Sequence, residues 1–449
     1  MLSLVAMLLI AVLISGCGGS KSGGNSQGGT PGADAESSGQ ADNTSSPNDE
    51  QVVITYMRHS YDVEVNAMKK LIASFEEKHP NIKVNMQVTP GDYDTKIRTM
   101  LAGGEAPDIM SLDGPNLAAF AQQGVLLPLD DYMKADGEIE DISKPVLDSL
   151  TYEGKIYAAP LNDSSVAMFY NKKMFEEKGI PLPSKNPDEA WTWDQVLDAA
   201  KQLNDPEKGI VGWDPGYGFP SGEAMAFFKM PWLWQAGAEV LSPDGKTAKG
   251  YLDSPKAKEA IAKFASLYTT EKVASVELPP EAFETGKVAI KMDGPWAISG
   301  MQSAHPEFKL GEDYDIAPLW KQDRQASPNG SWNMAIWSKS KHPKEAWMFI
   351  NWVTGVEGAK VWYEETHNLP ARKSTAQAIA ELNEYPMNIF MQQSIKYAHA
   401  RPVTPAYPTL TYEVGKLFEN VVLAGLSVDD ATSAAVEKID AAIQRTQMK

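Results

Sequence analysis

Between Val52 and Gly124 the apolar residues change period again and again, and this alternation restricts the fold more than any other feature of the chain. Val52-Val53-Ile54-Thr55-Tyr56 is β-branched and apolar, the pattern of a buried strand. Val65, Met68, Leu71, Ile72 and Phe75 then fall at helical spacing. His79-Pro80 closes that helix, because proline disfavours helical backbone in the residue before it. Ile82, Val84, Met86 and Val88 alternate strictly, as a strand does. Ile97, Met100 and Leu101 mark a second helix, stopped by Gly103-Gly104. Pro107-Asp108-Ile109-Met110 is a short apolar strand turned by Asp113-Gly114-Pro115, and Leu117, Phe120 and Ala121 form a third helix ending at Gly124. This β-α-β-α-β-α rhythm predicts a parallel sheet covered by helices. Ligands of such sheets sit beyond the carboxyl ends of the strands, which points to Tyr56–Ser60 and Leu112–Asn116.

The same reading predicts helices over 256–268, 344–353, 410–424 and 428–445, and short strands over 166–170, 287–292, 314–318 and 333–337. Ser427 and Asp430 stand at capping-box spacing, with Asp in place of the usual Glu. No internal repeat is visible. A folded region of about 400 residues is expected to divide into two lobes rather than grow one core.

Ahead of Gln51 the chain cannot build a core. The apolar run Met1–Ile14 is too short to span about 30 Å of hydrocarbon and has the length of a signal-peptide core. Leu13-Ile14-Ser15-Gly16-Cys17 resembles the bacterial lipobox, which makes Cys17 the expected lipidation site and 1–16 the expected signal peptide. No Lys or Arg precedes the run, so the usual basic start is missing. From Gly18 to Glu50 there is no aromatic residue, Val, Ile, Leu or Met, so nothing offsets the entropy of ordering. Residues 17–50 are expected to form a lipidated tether reaching roughly 30–35 Å. The folded part is then extracytoplasmic, lipid-anchored to the bacterial cell membrane and otherwise not in it.

Composition removes several function classes. With 41 basic and 59 acidic residues the formal charge is -18, which repels nucleic acid and anionic lipid. One cysteine excludes an internal disulfide and cysteine-based zinc sites. The histidines at 59, 79, 305, 342, 367 and 399 never pair at i, i+2 or i, i+4, so a helical zinc motif is missing. No phosphate loop, dinucleotide fingerprint or Gly-x-Ser-x-Gly elbow occurs. No cofactor, metal or covalent chemistry is expected. Among 59 acidic residues chance carboxylate pairs are certain, so a glycosidase stays open as an alternative.

Twelve tryptophans are a rich supply, and several lie beside Gly and Pro. Trp232 and Trp234 lie in Met230-Pro231-Trp232-Leu233-Trp234-Gln235-Ala236-Gly237, Trp296 closes Met292-Asp293-Gly294-Pro295-Trp296, and Trp332 ends Pro328-Asn329-Gly330-Ser331-Trp332. A loop indole can stack on the C–H face of a sugar ring while Asp, Asn or Arg meets the hydroxyls. The competing reading is that a given Trp fills the core, as expected for Trp347, Trp352 and Trp362 on helices. For Gly294-Pro295-Trp296 the pocket is the better reading.

An ordered set of short marks runs through the chain. They are Phe75-Glu76-Glu77-Lys78-His79-Pro80-Asn81-Ile82, Gly104-Glu105-Ala106-Pro107-Asp108-Ile109, Gly124-Val125-Leu126-Leu127-Pro128-Leu129-Asp130, and Gly154-Lys155-Ile156-Tyr157-Ala158-Ala159-Pro160 followed by Met168-Phe169-Tyr170-Asn171-Lys172. Trp191-Thr192-Trp193-Asp194, Phe283-Glu284-Thr285-Gly286-Lys287-Val288-Ala289-Ile290 with Gly294-Pro295-Trp296, His342-Pro343-Lys344-Glu345-Ala346-Trp347 and Leu369-Pro370-Ala371-Arg372 complete it. Over 51–449 this order resembles the extracellular solute-binding proteins of bacterial ABC importers, in the sugar-binding family that includes maltose-binding protein. The resemblance implies an α/β, two-lobe periplasmic-binding-protein-like fold. It implies hinge strands near 165–170 and 330–337 and a ligand cleft between lobes 51–165 plus 335–375 and 166–334 plus 376–449.

The resemblance also implies site residues. Arg58, His59 and Ser60 occupy the loop after the first strand, where relatives contact sugar; a solvated loop residue is the competing reading for His59. Asp113 is expected to accept two hydroxyls, while Leu112, where maltose binders carry Trp, argues against maltodextrin. Asn162, Asp163 and Ser164 lie at the first crossing, where Asp163 either meets ligand or caps a hinge turn. Glu223 and Trp232 are expected on the C-terminal face of the cleft, Trp296 as a stacking plate, and Asn329 and Trp332 at the second crossing. Arg401 and Tyr407 match a late pocket loop whose prolines are otherwise structural; Arg372 is expected to pair structurally. The implied partners are a small-molecule carbohydrate and the transmembrane permease subunits, with the protein a monomer. The alternatives are the same scaffold holding a polyamine, glycerophosphodiester or metal complex, a surface glycosidase, or an adhesin module without a small ligand. An anionic ligand would want converging cations, and only Arg58 and Arg401 are obvious.

Overall fold

The three strands read from the amino-terminal rhythm do pair in parallel. In the computed structural model Val52–His59 lies between Ile82–Thr89 and Ile109–Asp113, in register from Val52 opposite Ile82 to His59 opposite Thr89. Two further strands, Trp332–Ile336 and Ala159–Pro160, complete a five-stranded sheet with antiparallel pairing. The structure describes residues 51–449 except Glu138, Tyr217, Ser221, Ser331 and Lys449, and except the side chain of Pro145. The expected signal peptide, Cys17 and the tether to residue 50 lie outside the described residues.

A second sheet of four strands runs in the order Tyr314–Ala317, Ala167–Asn171, Val288–Asp293, Val211–Asp214. Each sheet has its own apolar core. Ile54, Met68, Phe75, Ile109, Met334 and Phe349 meet around the first sheet, with helices Asp62–Lys78 and Pro343–Thr354 covering it. Trp193, Trp213, Trp232, Phe264, Leu410 and Phe418 form a core on one face of the second sheet; Phe169, Phe283, Tyr314 and Phe390 form a smaller one.

The chain passes between the sheets at 161–166, around 329–330 and at 367–372. The strands expected to cross, near 165–170 and 330–337, each stay inside one sheet, because every residue of a ladder is committed to its neighbours. The irregular segments just before them do the crossing. Asp163 ties the three together: its N–H donates to Leu369 O (2.8 Å), and its carboxylate accepts from Gly330 N (3.1 Å) and Ser394 Oγ (2.6 Å).

Helix ends follow from local chemistry. The last helix, Val428–Gln447, starts at Ser427, whose hydroxyl accepts from Asp430 N (3.0 Å) and donates to the Asp430 carboxylate (2.7 Å). Thr192 and Gln195 make a complete capping box at the start of Trp193–Leu203. Helix Tyr407–Val422 begins earlier than expected because Pro408 sits in its first turn, where a missing N–H costs nothing. The same device puts Trp232 and Trp234 on a short helix, Met230–Gln235, opened by Pro231, rather than in a turn.

Candidate functional site

A cavity of about 1180 Å³ opens where the carboxyl ends of the three parallel strands face the second sheet's helices and loops. His59 arrives at the end of the first strand and Asp113 at the end of the third; Asp92 and Asp94 follow the second. From the other side come Glu223, which opens helix Glu223–Phe227, and Trp296, which opens helix Trp296–Ala304. The crossing segments contribute Asn162, Ser164, Gly330 and Asn368.

The first-sheet wall is a paired charge cluster with an aromatic cover. Arg58 is fully buried and its guanidinium reaches Glu64 Oε2 (2.5 Å) and Glu64 O (3.1 Å). His59 Nε2 lies 2.8 Å from the same carboxylate, and Asn368 Nδ2 donates to its other oxygen (3.0 Å). Burial alone would raise the Glu64 pKa, but His59, Arg58 and Asn368 outweigh it and hold it at about 2. The His59 ring stacks on Trp332 with centroids 4.1 Å apart, and Tyr93 meets both rings edge-on. Tyr93 is fixed in turn by donating to Ser111 O (2.6 Å).

At the floor of the cavity Arg401 forks onto Asp113, Nη1 to Oδ2 at 2.8 Å and Nη2 to Oδ1 at 2.7 Å. Its Nη1 also donates to Glu223 Oε1 (2.8 Å). Tyr407 and Thr411 hydroxyls hold Glu223 from behind, at 2.5 and 2.6 Å. Burial raises the Glu223 pKa and Asp113 adds to it, against the opposing pull of Arg401. Asp94 is pushed up to about 7, first by burial and then by the Asp113 charge. One guanidinium therefore serves more than one buried carboxylate.

Trp296 forms the opposite wall. Its indole folds back over Gly294, where an added Cβ would lie 2.1 Å from the ring, so the indole can hold this pose only over glycine. That is the physical content of the Gly294-Pro295-Trp296 motif. Phe227 lies 6.4 Å from the indole, and Tyr61 from the first-sheet side donates to Trp296 O (3.4 Å).

The cavity therefore gathers His59, Asp113, Ser164, Glu223, Trp296, Trp332 and Arg401 from the residues expected to meet ligand. The others lie elsewhere. Arg58 is not among the described lining residues and supports His59 through Glu64. Ser60 is exposed beyond the rim. Asp163 is spent on joining the crossing segments, the hinge-capping alternative. Trp232 is core: it is fully buried among Trp193, Trp213, Trp320 and Phe264, and its Nε1 donates to Pro215 O (2.9 Å). Asn329 borders a separate recess of about 300 Å³ with His399. Tyr407 stands behind Glu223. Asp113 does line the cavity, with one lone pair of each oxygen engaged by Arg401, so a ligand can reach only the acceptor capacity left beside that arginine. Arg372 is buried and donates to Thr354 Oγ1 (2.8 Å), a structural contact.

Sequence reasoning passed over Asp94, Tyr61, Tyr93, Phe227 and Asn368. Gly91–Asp94 follows a strand end just as His59 and Asp113 do, so the strand-end rule was the available signal. In the structure Asp92 caps helix Tyr93–Gly103 by accepting from Thr95 N (3.0 Å). Among the described residues no group of three or more His, Cys, Asp or Glu is placed to hold a metal, and no helix is long and apolar enough to cross a membrane.

A cavity walled by two α/β layers, lined by aromatic faces and a few convergent polar groups, has the form of a small-molecule binding site. The sequence model of the bacterial extracellular solute-binding protein family matches residues 61–360, and the chain belongs to that family. It is similar to the mannitol-binding protein of Pseudomonas aeruginosa, 25% identical over 400 residues and covering 82% of this chain and 88% of that one. It is also similar to the melibiose/raffinose/stachyose-binding protein of Bacillus subtilis, 24% identical over 364 residues, covering 77% and 80% of the two chains. The crystal structure of an ABC transporter solute-binding protein from Thermotoga lettingae, bound with alpha-D-tagatose, superposes with a TM-score of 0.78 at 26% identity. That match covers 87% of this chain and all of the other. The chain thus has the two-lobe α/β fold of these binding proteins.

Proposed function

We propose that the protein captures a sugar between its two lobes and delivers it to the transmembrane permease of an ABC importer, without making or breaking covalent bonds. The observation that carries this is the pair of half-buried indoles, Trp296 and Trp332, lining one cavity from opposite halves with Arg401, Asp113 and Glu223 at its floor. Flat faces suit the C–H surfaces of a sugar ring and the polar floor suits its hydroxyls. The lobes in this reading are built one on each sheet, with strand Trp332–Ile336 in the first lobe rather than in the second as the sequence bounds have it, and they turn about the crossing segments that Asp163 joins. A sugar touching both halves only on closure shifts the open–closed population. A hundredfold shift needs about 2.7 kcal/mol of differential affinity. Two hydrogen bonds to charged groups made only on closure, at about 1.5–3 kcal/mol each, suffice. Cys17 carries the lipid anchor and 18–50 the leash that keeps the binding lobes near the permease. The protein acts as a monomer.

A thermal-shift panel of mono- and oligosaccharides identifies the ligand, and calorimetry then measures it against the variant Trp296→Ala. We expect affinity to fall at least a hundredfold while the unfolding temperature stays within a few degrees. Unchanged affinity would remove Trp296 from the site. Recovery of cleaved oligosaccharide after incubation would favour a glycosidase instead.

A further inference from the structure

The cavity has a surplus of negative charge that its own cations do not offset. Nine of its described lining residues are Asp or Glu, against Arg401 and Lys291. Both cations are committed. Arg401 holds Asp113 and Glu223, and Lys291 lies 3.0 Å from Asp293 and 3.5 Å from Glu284. An anionic ligand therefore meets no uncommitted cation. A neutral ligand, once enclosed, leaves the excess negative charge of this lining in a water-poor space with too few cations to offset it, which is costly.

Asp94 is where the surplus concentrates. It lies in the first turn of helix Tyr93–Gly103 and faces the cavity, partly covered. Among the described residues none donates a hydrogen bond to its carboxylate. The nearest arginine on its helix, Arg98, donates to Asn116 Oδ1 instead (2.9 Å). Burial and the charges of Asp113 and Glu223 push the Asp94 pKa up to about 7, so near neutrality this corner takes up a proton in place of a cation.

The aromatic wall is an independent observation that favours positive charge. The Arg401 guanidinium already lies 5.2 Å from the Phe227 ring centroid, and Phe227 neighbours Trp296. Ring faces of this kind attract a ligand ammonium as well as sugar C–H groups. A slender polyamine would leave much of a cavity of about 1180 Å³ unfilled and would have little use for two indole plates.

We propose that the ligand is an amino sugar, a saccharide whose protonated amine sits among Asp94, Asp113 and Glu223 while its ring lies on the indole faces. This rests on the sugar-binding reading above and narrows it. Calorimetry on the purified protein tests it with matched sets of mono- and disaccharides. Glucose, galactose and mannose skeletons are each offered as the neutral sugar, the 2-amino-2-deoxy sugar, its N-acetyl form and the uronic acid, with spermidine alongside. For the skeleton that binds, the free-amine form is expected to bind at least tenfold tighter than the neutral and N-acetyl forms, and the uronic acid weakest. Asp94→Asn is expected to bring the amine-to-neutral affinity ratio to within threefold. A neutral sugar binding as tightly as its amine, or an Asp94→Asn variant that keeps the tenfold preference, overturns the inference while leaving the sugar reading standing. Binding of spermidine alone, or of no saccharide in any form, overturns the sugar reading and this inference with it.

Discussion

Arg58 and Arg401 are both buried and both bind carboxylates, yet Glu64 beside the first is lowered and Glu223 beside the second is raised. At Arg58 one guanidinium, one imidazole and one amide converge on a single acid, and Glu64 is held at about 2. At Arg401 one guanidinium is divided between Asp113 and Glu223, with Asp94 near both; Glu223 is raised and Asp94 reaches about 7. Burial is common to both clusters, so burial does not decide the outcome. The ratio of donors to acids does. The first cluster is complete without a ligand and acts as scaffold for His59 and the Trp332 stack. The second is short of positive charge and faces the cavity, the condition of a place prepared for something else.

The largest effect is expected where the balance is complete. Arg58→Met leaves Glu64 buried without its guanidinium and should cost about 3–5 kcal/mol of stability at pH 7. Urea unfolding measures it, and a loss below about 1 kcal/mol would mean that the two clusters do not differ in kind. Arg401→Met should cost less, about 2–4 kcal/mol at pH 8, and the cost should shrink toward pH 5. Glu223, which it strands, and Asp94 nearby are already raised and can take protons. An equal loss at both pH values would contradict the charge-ratio argument.

Asp94→Asn should act with the opposite sign. The folded-state pKa of about 7 lies above the ordinary carboxyl value of 3.8, so the folded protein keeps a proton that the unfolded chain has lost. Stability therefore falls as pH rises from about 4 to 7, and the full cost is present above 7. Allowing for contact of the carboxyl with water, the variant should be more stable by about 1–3 kcal/mol at pH 8 and indistinguishable at pH 4. A destabilised variant at pH 8 would show that the Asp94 charge is compensated in the folded protein.

Much of the fold was readable because its signals are local. The period change between Val52 and Gly124 found the parallel strands, and the helices over 256–268, 344–353 and 428–445 lie within two residues of Pro255–Thr269, Pro343–Thr354 and Val428–Gln447. The site was only partly readable, since the strand-end rule says where a ligand lies but not which groups are already paired. Asp113 and Arg401 are 288 residues apart, and no spacing announces that one occupies both oxygens of the other. Trp232 and Trp296 both follow a proline, yet one proline opens a helix inside the core and the other follows a glycine that an indole must cover. Only tertiary packing separates these two cases. Asp94 follows a strand end as His59 and Asp113 do, but its place beside Asp113 and Glu223 depends on residues far along the chain.

The smallest predicted effect isolates what burial contributes to the contrast between the arginine clusters. Lys70 and Glu365 make a pair as close as Arg58 and Glu64, at 2.6 Å, but Lys70 is 59% exposed and Glu365 33%. Water has already solvated both ends, so little is left stranded when one is neutralised. Glu365→Gln should cost under about 1 kcal/mol and nothing measurable in 1 M salt, where screening reaches within about 3 Å. The Arg58→Met loss should survive the same salt, because its partner is shielded from ions by protein rather than by distance. If the two losses matched, or if both vanished in salt, proximity alone would govern these pairs, and the charge shortage at Arg401 would carry no consequence for what the cavity holds.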